Sequence, residues 1–181
     1  MNRLFVDMDG VLAKFTHVDT LEALYEEGYF RNLEPQVNVI ESIREIKESG
    51  RADVYILSAV IENSEYAFSE KLEWLNEYLP EMDSQHIIFT RDGENKLEWI
   101  KEHTDLKIGK NDFLLDDYTK NLNEWCKEGK GIKLLNGINH TKGTWQGWKV
   151  DYMDPLLPSR IINIMDSEIF KEKQNRIELE L

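Results

Sequence analysis

The sequence predicts a three-layer α/β fold, a parallel sheet packed between helices, with a small helical cap inserted after the first strand. Three observations predict it. Short apolar runs alternate with segments of helical periodicity from residue 3 to residue 135, the pattern of a parallel sheet with crossover helices. The run Val54-Tyr55-Ile56-Leu57 is apolar at every position, as expected of a strand covered on both faces. Three of the runs end in polar groups: Leu4-Phe5-Val6 in Asp7-Met8-Asp9-Gly10, the second in Ser58, and Phe113-Leu114-Leu115 in Asp116-Asp117. Ligands of an open parallel sheet gather at the carboxyl ends of its strands, so these groups are expected at one edge.

The elements follow in order. Residues 3–7 form the first strand. Residues 14–34 are rich in acids and aromatics and read as the cap, with a helix over about 18–28 carrying Leu21, Leu24 and Tyr25 and ended by Gly28. Pro35 opens a helix with Val39, Ile40, Ile43 and Ile46 on one face, stopped by Gly50. Residues 53–58 are the second strand. Residues 63–79 are a helix with Phe68, Leu72, Leu75 and Leu79, and Pro80 lies beyond its end. Ile87-Ile88-Phe89 is the third strand. Asn95 caps a helix running to about Thr104 with Leu97 and Ile100 facing inward. Residues 112–116 are the fourth strand. Leu122, Trp125 and Cys126 pattern a helix ended by Gly129, and Ile132–Leu135 is the fifth strand. Asn136 to Gly147 reads as a loop carrying Trp145, with Trp148 just beyond. A helix follows from Pro158 to about Gln174, and residues 178–181 are expected to fray.

A length of 181 residues suits one domain, 1–181, with the cap at 14–34 and a C-terminal loop and helix at 136–181 packed on the core. The net charge of −13 argues against nucleic acid or an anionic membrane as partner. No apolar stretch approaches the roughly 20 residues of a membrane span. Asp7 and Asp9 interrupt the one early apolar run, so no signal peptide is expected, and the protein is expected to be cytoplasmic. The single cysteine, Cys126, fits a reducing compartment and is expected to be a small core residue.

Side chains at i and i+2 of an extended chain share a face, so Asp7 and Asp9 can converge as the chain leaves its strand. Two carboxylates aimed at one point repel unless a cation or a shared proton joins them. That suits a hard divalent metal and nucleophilic or acid–base chemistry. A strand running into an Asp-Gly turn gives the same residues without chemistry. Likewise Ser58, Asp116 and Asp117 can serve as plain helix caps. His17, His86, His103 and His140 show no paired spacing of the His-x-x-x-His kind, so zinc is not expected.

These residues resemble the motifs of the haloacid dehalogenase-like (HAD) phosphohydrolase superfamily, whose core is Rossmann-like. Leu4 to Leu12 matches the opening strand with Asp-x-Asp-Gly, Tyr55-Ile56-Leu57-Ser58 the second motif, and Leu114-Leu115-Asp116-Asp117 the fourth. The third motif is a lysine at the start of the helix before the last of these strands. Lys96 has that position, and Lys107 and Lys110 are its competitors. Within the superfamily the chain is similar to the 5'(3')-deoxyribonucleotidases: in Gly28-Tyr29-Phe30-Arg31-Asn32-Leu33-Glu34-Pro35, in Glu70-Lys71-Leu72-Glu73-Trp74-Leu75, and in Phe89-Thr90-Arg91-Asp92. It departs from them in its shorter cap and in Tyr118, where the better-known animal members have arginine, so nucleobase preference is not carried over.

The resemblance implies a Mg2+-dependent phosphate monoester hydrolase acting on a nucleoside monophosphate. Asp7 would be the nucleophile and Asp9 the acid and base. The metal would be held by Asp7, the Asp9 carbonyl and Asp116, with Asp117 behind them. Ser58 and the Ala59 amide would bind phosphate, and Lys96 would neutralise the transferring group. Lys71 would reach the phosphate, although an exposed i,i+3 pair with its glutamate neighbours also accounts for it. Phe15 and Phe30 would form an apolar wall for sugar or base, or simply pack the cap on the core. Three other readings stand beside this one: a HAD phosphatase for another small phosphomonoester, a receiver-like phosphoacceptor module, and a binding protein that has lost catalysis. Receivers place their acidic pair first, the reverse of the order here.

Overall fold

A computed structural model describes residues 1–15, 18–139 and 144–179, with side chains described as far as residue 168. Six strands form one parallel sheet: β1 (Asn2–Val6), β2 (Ala52–Val60), β3 (Ile87–Arg91), β4 (Asp112–Asp116), β5 (Lys130–Leu135) and β6 (Trp148–Asp151), in the order β3-β2-β1-β4-β5-β6. The helices are α1 (Val37–Glu48), α2 (Ala67–Tyr78), α3 (Lys96–His103), α4 (Thr119–Trp125) and α5 (Leu157–Leu179).

Alternation along each strand splits the core in two. Leu4, Val6, Val54, Ile56, Phe113, Leu115 and Ile132 pack with residues of α1, α2 and α5 on one face of the sheet. Phe5, Leu57, Ile88 and Leu114 pack with α3, α4 and Trp145 on the other. Each such fully buried side chain stabilises the fold by roughly 1.5–3 kcal/mol, so the two faces hold the sheet as the rigid middle layer.

Several expectations are revised. The helix foreseen over 18–28 is a single 3-10 turn, Leu21–Tyr25, that buries none of its residues. Without an apolar face to bury, so short a stretch gains too little to propagate a helix. The sixth strand was not foreseen: it is four residues long, buries only Val150, and lies at the sheet edge. Cys126 is not in the core; it caps the C-terminal end of α4 and is exposed. Phe68 points out of α2, whose inward positions are Ala67, Glu70, Lys71, Trp74 and Leu75. Trp145 is buried against Gly131 and donates its indole N–H to the carbonyl of Trp148 at 2.9 Å, which pins the loop onto the sheet. His17, His140 and residues 180–181 lie outside the described residues. Among the described residues no helix is long and apolar enough to cross a membrane.

Candidate active site

β2, β1 and β4 are neighbours in the sheet, and their carboxyl ends bring the sequence-marked polar residues to one edge. β1 ends at Val6, and the Asp7 amide still donates to the carbonyl of Leu115 at 3.0 Å. The chain then coils tightly, the carbonyl of Met8 accepting from the amides of Val11, Leu12 and Ala13. Met8 goes into the core, while Asp7 and Asp9 turn to the site. β2 runs past its last pairing with β1, at Ile56, and so carries the buried Ser58 and then Ala59 to the same edge.

Asp7 and Asp9 each meet a different lysine. Lys96 is the first residue of α3, positioned because Asn95 caps that helix by accepting from the amides of Leu97 and Glu98. Its ammonium lies 2.8 Å from Asp7 Oδ1 and 2.8 Å from Asp116 Oδ2. Lys107 and Lys110 are exposed and precede β4, away from this edge. Asp116 is fully buried; its Oδ1 accepts from the Tyr118 amide at 2.7 Å and its Oδ2 also from Asn121 at 2.9 Å. Ligand atoms of Asp7, Asp116 and Asp117, all buried, lie within 4.8 Å of one another. Burial, and then the charges of Asp116 and Asp9, push Asp7 up to about 7 against the opposing pull of Lys96. Asp117 is raised to about 6 by burial and by Asp116. Burial works against the Lys96 ammonium, but Asp116 and Asp7 more than offset it and raise its pKa above the ordinary lysine value. This buried all-oxygen set matches what a hard cation such as Mg2+ requires.

Lys71 is fully buried, not part of an exposed ion-pair row. It reaches from α2 to pair with Asp9 Oδ2, and it donates to Ser58 Oγ at 3.2 Å and to the Ala59 carbonyl at 2.5 Å. The ring of Phe30, itself buried, lies 4.7 Å from the same ammonium, a cation–π contact. Phe15 is half-buried and meets Tyr29 edge-on, with ring centroids 6.2 Å apart. Asp9 Oδ1 and the Tyr29 hydroxyl are buried with no hydrogen-bond partner among the described residues.

The sequence reading missed Glu70. Its buried carboxylate accepts from the backbone amides of Gly28, Phe30 and Arg31, and Trp74 on the same helix donates to the carbonyl of Leu33 at 2.8 Å. So α2 holds segment 28–33 with Glu70 and Trp74 while Lys71 reaches the site. Glu70→Ala leaves those amides without their acceptor. The expected result is a loss of about 1–3 kcal/mol in unfolding free energy, with faster amide exchange at residues 28–31 but not in α1. Unchanged exchange at 28–31 would show that Glu70 is not the anchor.

A six-stranded parallel sheet with Asp-x-Asp after β1, Ser58 near the carboxyl end of β2, a lysine opening α3 and Asp116-Asp117 at the end of β4 defines the HAD-like class of α/β proteins. Residues 16–150 match the family described as 5' nucleotidase, deoxy (pyrimidine), cytosolic type C, and the chain belongs to that family. A putative 5'(3')-deoxyribonucleotidase of Staphylococcus epidermidis is 30% identical over 132 residues, covering 71% of this chain and 64% of that one. One from Staphylococcus aureus is 34% identical over 139 residues, covering 75% and 68%. The human cytosolic-type 5'(3')-deoxyribonucleotidase is 26% identical over 128 residues, covering 50% and 64%. The chain thus spans about two-thirds of the length of these curated relatives. Among solved structures, D,D-heptose 1,7-bisphosphate phosphatase from Burkholderia thailandensis superposes with a TM-score of 0.57 at 11% identity, over 87% of this chain and 95% of that one. A chain of the Pnkp1/Rnl/Hen1 complex gives 0.53 at 19% identity, over 72% and 45%. At these identities the likeness shows the fold alone.

Proposed function

We propose that the protein hydrolyses the phosphate monoester of (deoxy)nucleoside monophosphates with Mg2+ through an aspartyl-phosphate on Asp7. The observation that carries this is the meeting of Asp7, Asp9, Ser58, Lys71, Lys96 and Asp116 at one sheet edge, in a chain of the nucleotidase family. Asp7, Asp116 and the Asp9 backbone carbonyl would hold Mg2+, with Asp117 behind them. Bound there, Mg2+ screens the repulsion between the nucleophile and an anionic phosphate.

Asp7 attacks phosphorus through a carboxylate oxygen, and the ester P–O bond breaks as the acyl phosphate forms. Asp9 gives its proton to the departing alkoxide, then takes one from the water that attacks the acyl phosphate. Phosphate leaves and the Asp7 carboxylate is restored. Lys96 neutralises charge on the transferring group without moving a proton. Lys71 has Asp9 as its anionic partner. We assign it a second one: the substrate phosphate, bound also by Ser58 and the Ala59 amide, draws the ammonium and frees Asp9. Residues 14–34 act as a small cap, with Phe15 and Phe30 as the apolar wall toward the nucleoside. The cytosolic name of the human relative supports a cytoplasmic location.

The test is phosphate release from nucleoside monophosphates, sugar phosphates and phosphoserine, with and without Mg2+. The expected outcome is Mg2+-dependent release that favours deoxynucleoside monophosphates. Release from sugar phosphates alone would move the substrate to another phosphomonoester and keep the chemistry. A persistent phosphoprotein with no turnover would favour a phosphoacceptor module.

A further inference from the structure

The loop that follows β5 reaches across to the acidic cluster. Asn136, the first residue past the strand, is buried. Its amide nitrogen donates to Asp117 Oδ2 at 2.7 Å and to the Gly10 carbonyl at 2.5 Å. Its amide oxygen accepts from the backbone of Ile138 at 2.9 Å and Asn139 at 3.3 Å. The network therefore admits one orientation of the amide, since a flip would set oxygen against a carbonyl and a carboxylate. Asn139 adds a second donor, its Nδ2 lying 2.8 Å from the same Asp117 Oδ2. From β5 itself the buried Lys133 donates to the Asp117 carbonyl at 2.5 Å and to Thr119 Oγ1 at 2.9 Å. Backbone and carboxylate of Asp117 are thus both fixed, and from the same side.

The first loop closes the arrangement. Gly10 has φ +79, and a Cβ there would lie 2.4 Å from Asp117 Oδ2 and 3.1 Å from the Asn136 amide nitrogen. Side-chain-free backbone at Gly10 is what lets Asn136 tie the loop after β1 to the end of β4.

The kind of donor matters. Asp7 and Asp116 share an ammonium, Lys96. Asp117 Oδ2 is held by two neutral amides, which orient a carboxylate without cancelling its charge. An arginine or lysine on that oxygen would compete with a divalent cation. Groups that orient metal ligands from behind typically change metal affinity 10–100-fold when removed.

We propose that Asn136 and Asn139 are positioning residues for the divalent cation: they fix the Asp117 carboxylate within 4.8 Å of those of Asp7 and Asp116, behind the metal ligands, and so set metal affinity without touching substrate. This rests on the Mg2+ site proposed above. Asn139 sits half-buried on the loop, so its truncation spares the fold, and Asn136→Ala serves as the stronger second variant.

The experiment is Mn2+ binding to the metal-free full chain, by calorimetry and electron paramagnetic resonance, with thermal melts of the metal-free proteins alongside. Asn139→Ala is expected to weaken Mn2+ about 10-fold, and Asn136→Ala about 100-fold. The metal-free melting temperature of Asn139→Ala should stay at the wild-type value. Its Mg2+ activation constant should rise by the same factor as the Mn2+ dissociation constant, with KM for substrate unchanged at saturating Mg2+. Unchanged Mn2+ affinity in folded Asn139→Ala overturns the proposal, and so does a wild-type chain that binds no Mn2+. A wild-type chain that binds Mn2+ and hydrolyses no nucleotide, with affinity still lost in the variants, removes the proposed activity and leaves the positioning role intact.

Discussion

Asp9→Asn is expected to lower kcat by about two to four powers of ten, the usual worth of a positioned acid–base group, while the fold and Asp7 remain intact. The amide is isosteric and keeps an oxygen for Lys71, which retains Ser58 Oγ and the Ala59 carbonyl as further acceptors. Asp7 keeps its own partner, Lys96, which Asp9 does not touch. What disappears is the group proposed to protonate the leaving oxygen and then to deprotonate water. Because the second step suffers as well as the first, acid quench of the variant with a labelled nucleotide should still trap phosphate on Asp7. Label on any other residue, or turnover near the wild-type rate, would remove Asp9 and Asp7 from the roles assigned to them.

How much of this was legible in the sequence follows from where each side chain finds its partner. The strand ends were legible because burial on both faces leaves a continuous apolar run, and a polar group that interrupts it stands out. Lys96 could be placed because Asn95 marks the start of its helix, and Asn95 does accept two amides there. Lys71 was ambiguous because Glu70 and Glu73 beside it mimic a solvent-facing charge row. Its burial is set by Ser58, on the preceding strand, and by Asp9, 62 residues earlier in the chain. Glu70 was invisible for the same reason: its partners are backbone amides at 28–31, and no side-chain pattern announces a backbone donor. Asn136 stands in an Asn-Gly pair that reads as an ordinary turn. The short edge strand β6 buries one residue of four, too weak an alternation to register.

The pairing of α2 with residues 28–33 gives the molecule an internal connection that neither element shows alone. Adjacent residues of one helix serve different ends: Glu70 grips the segment after the 3-10 turn, and Lys71 grips Asp9. Phe30 closes the circuit, since its amide is held by Glu70 while its ring faces the Lys71 ammonium. Any shift of the Lys71 ammonium would therefore be felt directly by Phe30 through this cation–π contact.

The largest stability effect is expected at Lys96. Lys96→Met fills the space with an unbranched apolar side chain but leaves Asp7 and Asp116 buried without the ammonium they share at 2.8 Å each. Breaking a buried ion pair on one side typically costs about 3–5 kcal/mol, so the metal-free variant should melt well below the wild type. A divalent cation can replace the missing charge. Ligand binding to the folded state alone stabilises it by RT ln(1 + [L]/Kd), and without Lys96 the two carboxylates no longer have an ammonium that competes for them. Mg2+ should therefore raise the melting temperature of Lys96→Met by more than it raises that of the wild type, while turnover stays low because charge on the transferring group goes unneutralised. Thermal melts of both proteins across a Mg2+ titration decide the matter. Equal Mg2+ shifts in the two proteins would mean that Lys96 and the metal do not share the carboxylates of Asp7 and Asp116. A Lys96→Met chain as stable as the wild type without metal would mean that the pair is not the keystone its burial makes it.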